Sequence, residues 1–317
     1  MSSGEVSPSA AAAGDEPAGF SVWVELTKPR LTMLVLVTVA VGYLLAAYER
    51  GMLVEAVSLH SALVLLVTVF GVGLSSGGSA ALNMFVERHL DARMQRTRER
   101  PLPSGRLSEL QVLLFGLIAC SLGGLLVLLV GGPLAAWLNL ATIVLYLLFY
   151  TPLKRLSSLN TLVGAVTGAL PPMIGWAAFA HELAPGAWAL FAIVYVWQLP
   201  HFFAIAWLYR EDYRAGGMKM LSTVDRDGLL TKANIGLCSM VLVPVSLSPT
   251  MVGLAGPVYL WGALVIGVAQ LCLSVRFVRC HTQEDARRVF LASLLYLPLL
   301  LALLLVDTFL IDGLSRI

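Results

Sequence analysis

Long runs of apolar residues alternate with short polar segments along most of this chain. A helix that crosses a membrane needs about 20 mostly apolar residues. Nine runs approach this length, at residues 31–48, 61–82, 110–130, 134–151, 161–180, 187–208, 233–253, 257–278 and 289–311. The fourth run is short and directly follows Gly131, Gly132 and Pro133. The pattern predicts an all-α, polytopic membrane protein with nine transmembrane helices.

The composition excludes a soluble domain. Of the 317 residues, 58% are hydrophobic and 13% are charged, whereas a soluble domain carries about 25% charged residues. Residues 1–21 differ from the rest, being rich in Ala, Ser, Gly and Pro. They match neither a secretory signal nor an Arg-rich transit peptide, which favours a bacterial inner membrane. We expect a disordered N-terminal tail over 1–21 and one domain over 22–317.

Basic residues are unevenly divided between the two predicted membrane faces. With nine spans, every Lys and Arg except Arg50 and Arg316 falls on the side of the N-terminus. Loops that remain in the cytoplasm carry an excess of Lys and Arg. The distribution therefore predicts a cytoplasmic N-terminus and a C-terminus in the periplasm or outside the cell.

Three polar residues end the second apolar run at intervals of four. Residues four apart lie on the same face of a helix, so Asn83, Glu87 and Asp91 form a column of one amide and two carboxylate side chains. Mg²⁺ takes such hard oxygen ligands, and it usually keeps other positions for water and phosphate oxygens. The column predicts a Mg²⁺ site.

A basic segment follows this column directly, with Arg93, Arg96, Arg98 and Arg100. The planar guanidinium group of arginine binds two phosphate oxygens at once. Acidic and basic groups side by side indicate a site for a metal–diphosphate. An ordinary Arg-rich cytoplasmic loop is the alternative, but it leaves the acidic column unexplained.

A second charged segment follows the sixth apolar run, four predicted helices later, and contains Glu211, Asp212 and Tyr213 followed by Arg214. Because four helices separate the two segments, both emerge on one face of the membrane. We expect two related halves around a central cavity that opens to the cytoplasmic side.

Two further groups are candidates for the same site. Lys154 and Arg155 end the fourth run on the same predicted face, where a simple cluster of positive-inside residues is the alternative. His201 lies well inside the sixth run, beside Pro200. Ionisable groups within membrane spans are usually functional, and the alternative is a histidine that is hydrogen-bonded to a neighbouring helix.

These motifs together resemble a known family. The run from Asn83 to Leu102 reads NxxxExxxDxxMxRTxxRPL, and a second run contains PHF followed by EDYRAG. Both are similar to the haem O synthase branch of the UbiA-type intramembrane prenyltransferases, over about residues 22–310. Glu87 stands where that family usually has Asp, and His201 stands where its quinone-type relatives carry an acidic residue.

The resemblance implies a function. Farnesyl diphosphate would bind with Mg²⁺ on Asn83, Glu87 and Asp91, and four basic residues would bind the diphosphate, namely Arg96, Arg100, Lys154 and Arg155. A vinyl group of haem B would take the farnesyl group and water would add, giving haem O. His201 would act on the haem, as an axial ligand or a proton donor. Haem A synthase or a terminal oxidase would be partners, and no nucleic acid is expected.

Two other functions stay open at this point. A prenyltransferase of the same kind could use another acceptor, such as a quinone precursor or chlorophyllide. A transporter of a phosphorylated solute is less consistent with the sequence, because transporters bind substrate near the midplane and expose it to both sides. Here nearly all charged groups lie on one predicted face.

Overall fold

The computed structural model describes residues 19–312, and it contains helices and no strand within that range. Most of the predicted tail, residues 1–18, and the C-terminal Arg316 lie outside the described residues. The first helix begins at Phe20, two residues before the predicted domain boundary at 22.

Seven long helices build most of the structure. They are α2 (Pro29–Glu49), α4 (Leu59–Asp91), α5 (Glu109–Val144), α7 (Asn160–Ala180), α8 (Pro185–Leu208), α13 (Pro257–Cys280) and α14 (Gln283–Leu305). An eighth, α11 (Leu229–Ser246), is somewhat shorter. The short helices are α1 (Phe20–Leu26), α3 (Leu53–Ala56), α6 (Thr151–Leu156), α9 (Arg210–Ala215), α10 (Leu221–Val224) and α12 (Ser248–Met251). Two π-helical segments extend α5 and α14, at Leu145–Tyr150 and Val306–Asp312.

Between residues 19 and 312, eight helical stretches are long and apolar enough to cross a membrane. The third and fourth predicted spans fall within one of these stretches, Glu109–Leu156. That stretch is interrupted at Gly132, whose φ of 83° lies in the left-handed region that glycine adopts without strain. A Cβ at Gly124 would lie 3.9 Å from Asn139 Nδ2, so the two arms run side by side. The number nine itself stays a prediction.

The loops with the candidate residues meet on one face of the bundle. Arg106 Nη1 binds Glu25 Oε2 at 2.8 Å, which joins the loop after α4 to α1. The amide of Lys219 donates to the carbonyl of Lys154 at 2.6 Å, which joins the loop after α9 to α6. The ends of α2, α4, α6 and α8 therefore surround one opening, as the motif positions predicted.

Helices α2 and α7 approach each other closely enough for backbone contact. A Cβ at Gly175 would lie 1.8 Å from the carbonyl oxygen of Val39, and one at Gly42 would lie 2.0 Å from that of Pro172. Only glycine fits at such crossings, because small residues allow helix backbones to touch. This contact fixes α2 and α7 rigidly below the opening.

Candidate active site

The acidic column is buried at the end of α4. Asn83, Glu87 and Asp91 are 1%, 3% and 0% exposed and lie on successive turns of one helix face. Buried carboxylates are costly unless they are paired or bind a cation. Their complete burial favours a functional site over the solvated loop that the sequence left as the alternative.

Each member of the column contacts a cation from a different part of the chain. Lys154 Nζ lies 2.8 Å from Glu87 Oε1, and Arg100 Nη1 lies 2.7 Å from Asp91 Oδ2. Lys28 Nζ donates to Asn83 Oδ1 at 3.2 Å. The amide of Asn83 in turn donates to Thr151 Oγ1 at 3.0 Å, which fixes its orientation. Arg100 and Lys154 thus neutralise the two carboxylates, and Lys28 adds a third basic group beside them.

Lys28 was not predicted as a site residue from the sequence. It precedes α2 in the left-handed region, with φ of 50°, a conformation that non-glycine residues adopt at a cost in strain. Burial, together with the nearby charges of Arg100 and Lys154, lowers the pKa of Lys28 to about 7. Its position directly before Pro29, within the segment Thr27–Arg30, was the available signal.

The column suits a divalent cation that is shared with a ligand. Asp91 Oδ1 is buried, and no described residue donates a hydrogen bond to it, so one carboxylate oxygen is available. Within residues 19–312, no three His, Cys, Asp or Glu side chains are arranged so that they could hold a metal ion by themselves. Mg²⁺ binds through one or two carboxylates with the remaining positions filled by water and phosphate, and the donor set present here fits that requirement.

The loop after α4 reaches the second acidic segment through Arg96. The Arg96 amide lies 3.4 Å from Asp212 Oδ2, and its guanidinium donates to the Tyr213 hydroxyl at 3.2 Å. That guanidinium also stands over the Tyr209 ring, 5.1 Å from the centroid. The structure therefore brings the two motifs together, as predicted, but through an exposed arginine rather than through a shared buried charge.

Two predicted residues lie outside this cluster. Glu211 is exposed and accepts from Arg214 Nη1 at 2.8 Å, an ion pair formed within α9. Arg155 is exposed, and it makes no hydrogen bond or ion pair within the described part of the chain. The positive-inside alternative accounts for Arg155, whereas its neighbour Lys154 turns inward to the column.

Two tyrosines below Lys154 are further candidates; Tyr150 begins the polar cluster that ends the fourth apolar run, whereas Tyr146 was not predicted from the sequence. Tyr146 and Tyr150 lie on the π-helix that extends α5, with ring centroids 5.4 Å apart, and Lys154 Nζ is 4.5 Å from the Tyr150 centroid. A Cβ at Gly164 would meet the Tyr150 ring at 2.7 Å. The spacing of four from Tyr146 to Tyr150 to Lys154 was the available signal. π-helical segments are frequent at functional sites.

A cavity of about 210 Å³ begins beneath the column and is lined by six helical segments, including both tyrosines. Several lining residues are polar, but their polar groups bind within the protein. Thr142 and Thr167 donate to carbonyls of their own helices at 2.8 and 2.7 Å, and Asn139 donates to Ser75 Oγ at 3.0 Å. Gln198 donates to the carbonyl of Val194 at 2.9 Å. The cavity surface is therefore mostly apolar and suits a hydrocarbon chain.

His201 faces away from this cavity. Its Nδ1 lies 2.8 Å from Ser293 Oγ on α14, and its ring lies 5.1 Å from that of Phe290. The residues of α8 that line the cavity are Gln198 and Phe202 instead. The structure thus places His201 between α8 and α14, where it is hydrogen-bonded to a neighbouring helix, the alternative considered in the sequence analysis.

Comparisons with known proteins agree with this geometry. The model of the "UbiA prenyltransferase family" matches residues 33–304. The chain is 43% identical over 286 residues to a protoheme IX farnesyltransferase of Solibacter usitatus, covering 90% of this chain and 98% of the relative.

Two solved structures share the fold. One is described as digeranylgeranylglyceryl phosphate synthase, with a TM-score of 0.75, 16% identity, and coverage of 91% of this chain and 98% of that one. The other is a UbiA homologue from Archaeoglobus fulgidus bound to GPP and Mg²⁺, with a TM-score of 0.58, 14% identity, and coverage of 89% and 99%.

Proposed function

Because the chain belongs to the UbiA prenyltransferase family, we propose that it transfers the farnesyl group of farnesyl diphosphate to a vinyl group of haem B. The chain is a multi-pass membrane prenyltransferase, and its relative in Solibacter usitatus carries the name protoheme IX farnesyltransferase. The product of this reaction is haem O, and diphosphate is released.

The proposed reaction breaks the C1–O bond of the donor, the π bond of the vinyl group and one O–H bond of water, and it forms one C–C bond and one C–O bond. The bond between farnesyl C1 and the diphosphate oxygen breaks, and the diphosphate takes the electron pair. The farnesyl carbon then bonds to the terminal carbon of a haem vinyl group. Water adds to the inner vinyl carbon and loses a proton, which leaves a hydroxyethylfarnesyl side chain without any change of oxidation state at iron.

The buried charges near α4 stabilise the leaving group. Asn83, Glu87 and Asp91 would hold Mg²⁺, which as a Lewis acid would supply positive charge against the diphosphate. Lys154, Arg100 and Lys28 are already within 3.2 Å of the column, so they are preorganised to bind the diphosphate oxygens. Such preorganised charge in a site of low dielectric makes a large contribution to catalysis.

The rest of the donor lies below the charges. The mostly apolar cavity would hold the farnesyl chain and exclude bulk water from the developing cation. Tyr146 and Tyr150 line the top of this cavity, next to the position of farnesyl C1, and the faces of their rings are suited to stabilise positive charge. Arg96 would bind the outer side of the diphosphate through its exposed guanidinium.

The orientation in the membrane, the partners and the roles of several individual residues are also part of the proposal. The opening lies on the face that carries the basic loops, which is the cytoplasmic face if Lys and Arg remain inside. We place the protein in the bacterial inner membrane, where haem A synthase or a terminal oxidase would use the product. A contribution of His201 on the haem side stays a prediction, as does binding of diphosphate by Arg155.

One observation carries the proposal: a buried acidic column, neutralised by cations, stands directly above a mostly apolar cavity. The test uses the purified full chain in lipid nanodiscs with farnesyl diphosphate, haem B and Mg²⁺. We expect release of diphosphate and a haem whose mass has increased by one farnesyl group and one hydroxyl group. Diphosphate release with unmodified haem would reject haem B as the acceptor, and addition of EDTA should stop the reaction if a divalent cation is required.

A further inference from the structure

The depth of the cavity below the column can be measured along two of the helices that line it. On α4 the lining residues extend from Ala80 to Val72, and eight residues of α-helix span about 12 Å. Asn83, the lowest residue of the column, lies eleven residues above Val72, or about 16 Å. On α7 the lining residues extend from Gly164 to Ile174, and ten residues span about 15 Å. A distance of about 15–16 Å from the column to the end of the cavity matches an extended farnesyl chain and is one isoprene unit too short for a geranylgeranyl chain.

Val72 and Ile174 lie at the bottom of this cavity. They are 3% and 0% exposed and belong to one buried cluster with Val39, Val127 and Ala177. No member of that cluster other than these two lines the described cavity. The branched side chains of Val72 and Ile174 therefore form its floor.

The floor has no room to move downward. One residue beyond Ile174, Gly175 lies against the backbone of Val39 so closely that a Cβ would stand 1.8 Å from the carbonyl oxygen. One residue beyond Val72, a Cβ at Gly71 would lie 2.9 Å from the carbonyl oxygen of Gly123. Both floor residues are thus followed directly by a contact between two helix backbones. Such a contact cannot shift as a flexible side chain can.

Resting on the proposed function, we propose that Val72 and Ile174 set the length of the prenyl chain that this enzyme accepts. They stop the chain after its third isoprene unit, so that a fourth unit would hold the diphosphate above the column. The selectivity for farnesyl diphosphate then comes from exclusion at the floor, since an apolar cavity offers little else to distinguish homologous hydrocarbon chains.

The test compares donors of three lengths in one preparation, so that a partly folded variant does not affect the result. We expect Val72→Ala and Ile174→Ala to raise the kcat/KM of geranylgeranyl diphosphate relative to farnesyl diphosphate by about tenfold or more, the discrimination that a methylene-sized change produces. Val72→Phe should raise the kcat/KM of geranyl diphosphate relative to farnesyl diphosphate by a similar factor.

Val127→Ala is the matched control, because Val127 is 0% exposed in the same cluster but does not line the cavity. It should leave both ratios unchanged. Unchanged ratios in all three floor variants would overturn the inference while the wild-type reaction with farnesyl diphosphate still stood.

A binding measurement separates this result from failure of the proposed acceptor. Affinities of the three prenyl diphosphates in the presence of Mg²⁺ and the absence of haem should shift in the same order as the kinetic ratios. If haem B proves not to be the acceptor, these affinities still decide whether Val72 and Ile174 select the chain length. Equal affinities of the wild type for farnesyl and geranylgeranyl diphosphate would contradict the inference directly.

Discussion

The two acidic segments look alike in the sequence but occupy different environments. Glu87 and Asp91 are buried and bound by Lys154 and Arg100, which come from other segments of the chain. Glu211 is exposed and paired with Arg210 and Arg214 of its own short helix. A buried charge pair is retained at a high desolvation cost, whereas an exposed pair is screened by solvent and contributes little. Burial, rather than the pattern of residue types, distinguishes the two.

This difference predicts that the two segments contribute unequally to catalysis. The first segment supplies a fixed set of charges before substrate arrives, with an oxygen of Asp91 left free for a cation. The second segment contributes Asp212 and Tyr213 through their contacts with Arg96, and so positions one exposed arginine. Substitutions in the first segment should therefore abolish turnover, while those in the second should modify it.

The largest effect is expected for Asp91→Asn. The change keeps the shape of the side chain but removes the charge that would bind Mg²⁺, and it leaves Arg100 without its partner at 2.7 Å. We expect kcat to fall by a factor of about 10³, in line with the loss of a preorganised electrostatic contact. Diphosphate release measures the effect, with protein folding checked by the elution profile in detergent. Turnover near that of the wild type would remove Asp91 from the proposed metal site.

The next largest effect is expected for Lys154→Met. The variant of the neighbouring residue, Arg155→Met, serves as its comparison. Lys154 binds Glu87 inside the site, while Arg155 is exposed on the same short helix. We expect kcat/KM for farnesyl diphosphate to fall about 100-fold for Lys154→Met and less than about twofold for Arg155→Met. Equal losses would show that Arg155 binds the diphosphate after all and that the closed arrangement around the column changes when substrate binds.

The candidate residues of the first acidic segment could be predicted from the sequence, but their contacts with other parts of the chain could not. Spacing of four placed Asn83, Glu87 and Asp91 on one helix face because helical periodicity is a local property. The contact of Lys28 with Asn83, 55 residues away in the chain, depends on how α2 packs against α4, and no local pattern encodes this. Likewise, Lys154 and Arg155 are equivalent by charge, and only the orientation of α6 separates them.

The span pattern was predictable for a similar reason. Apolar length is a local property, and the break before the fourth run came from Gly131, Gly132 and Pro133. The environment of His201 was not predictable, since a histidine in an apolar helix can face either a cavity or another helix. Its contact with Ser293 is fixed by the packing of α8 on α14.

A smaller effect is expected for His201→Gln. Glutamine can still hydrogen-bond to Ser293, and the ring is turned from the cavity, so we expect kcat/KM to fall by no more than about threefold for farnesyl diphosphate. His201→Ala should mainly lower stability, by about 1–3 kcal/mol, because the buried hydrogen bond to Ser293 is lost, while Ser293 keeps its bond to the carbonyl of Phe290. The measurements are the thermal midpoint and the haem absorption spectrum. A changed haem spectrum with normal farnesyl diphosphate kinetics would instead place the acceptor between α8 and α14.

The smallest effect is expected for Glu211→Gln, and it tests the comparison most directly. The hydrogen bonds from Arg214 hold the pKa of Glu211 below its usual range, so the carboxylate is charged at neutral pH, but its charge is already balanced within α9. Exposed pairs of this kind contribute little, and we expect kcat and the Mg²⁺ dependence to stay within about twofold of the wild type. Asp212→Asn is the informative companion, because Asp212 contacts the Arg96 backbone and its loss should raise KM for farnesyl diphosphate without changing kcat. If Glu211→Gln shifted the Mg²⁺ dependence strongly, the second segment would bind a metal of its own, and the two segments would be equivalent in function despite their different burial.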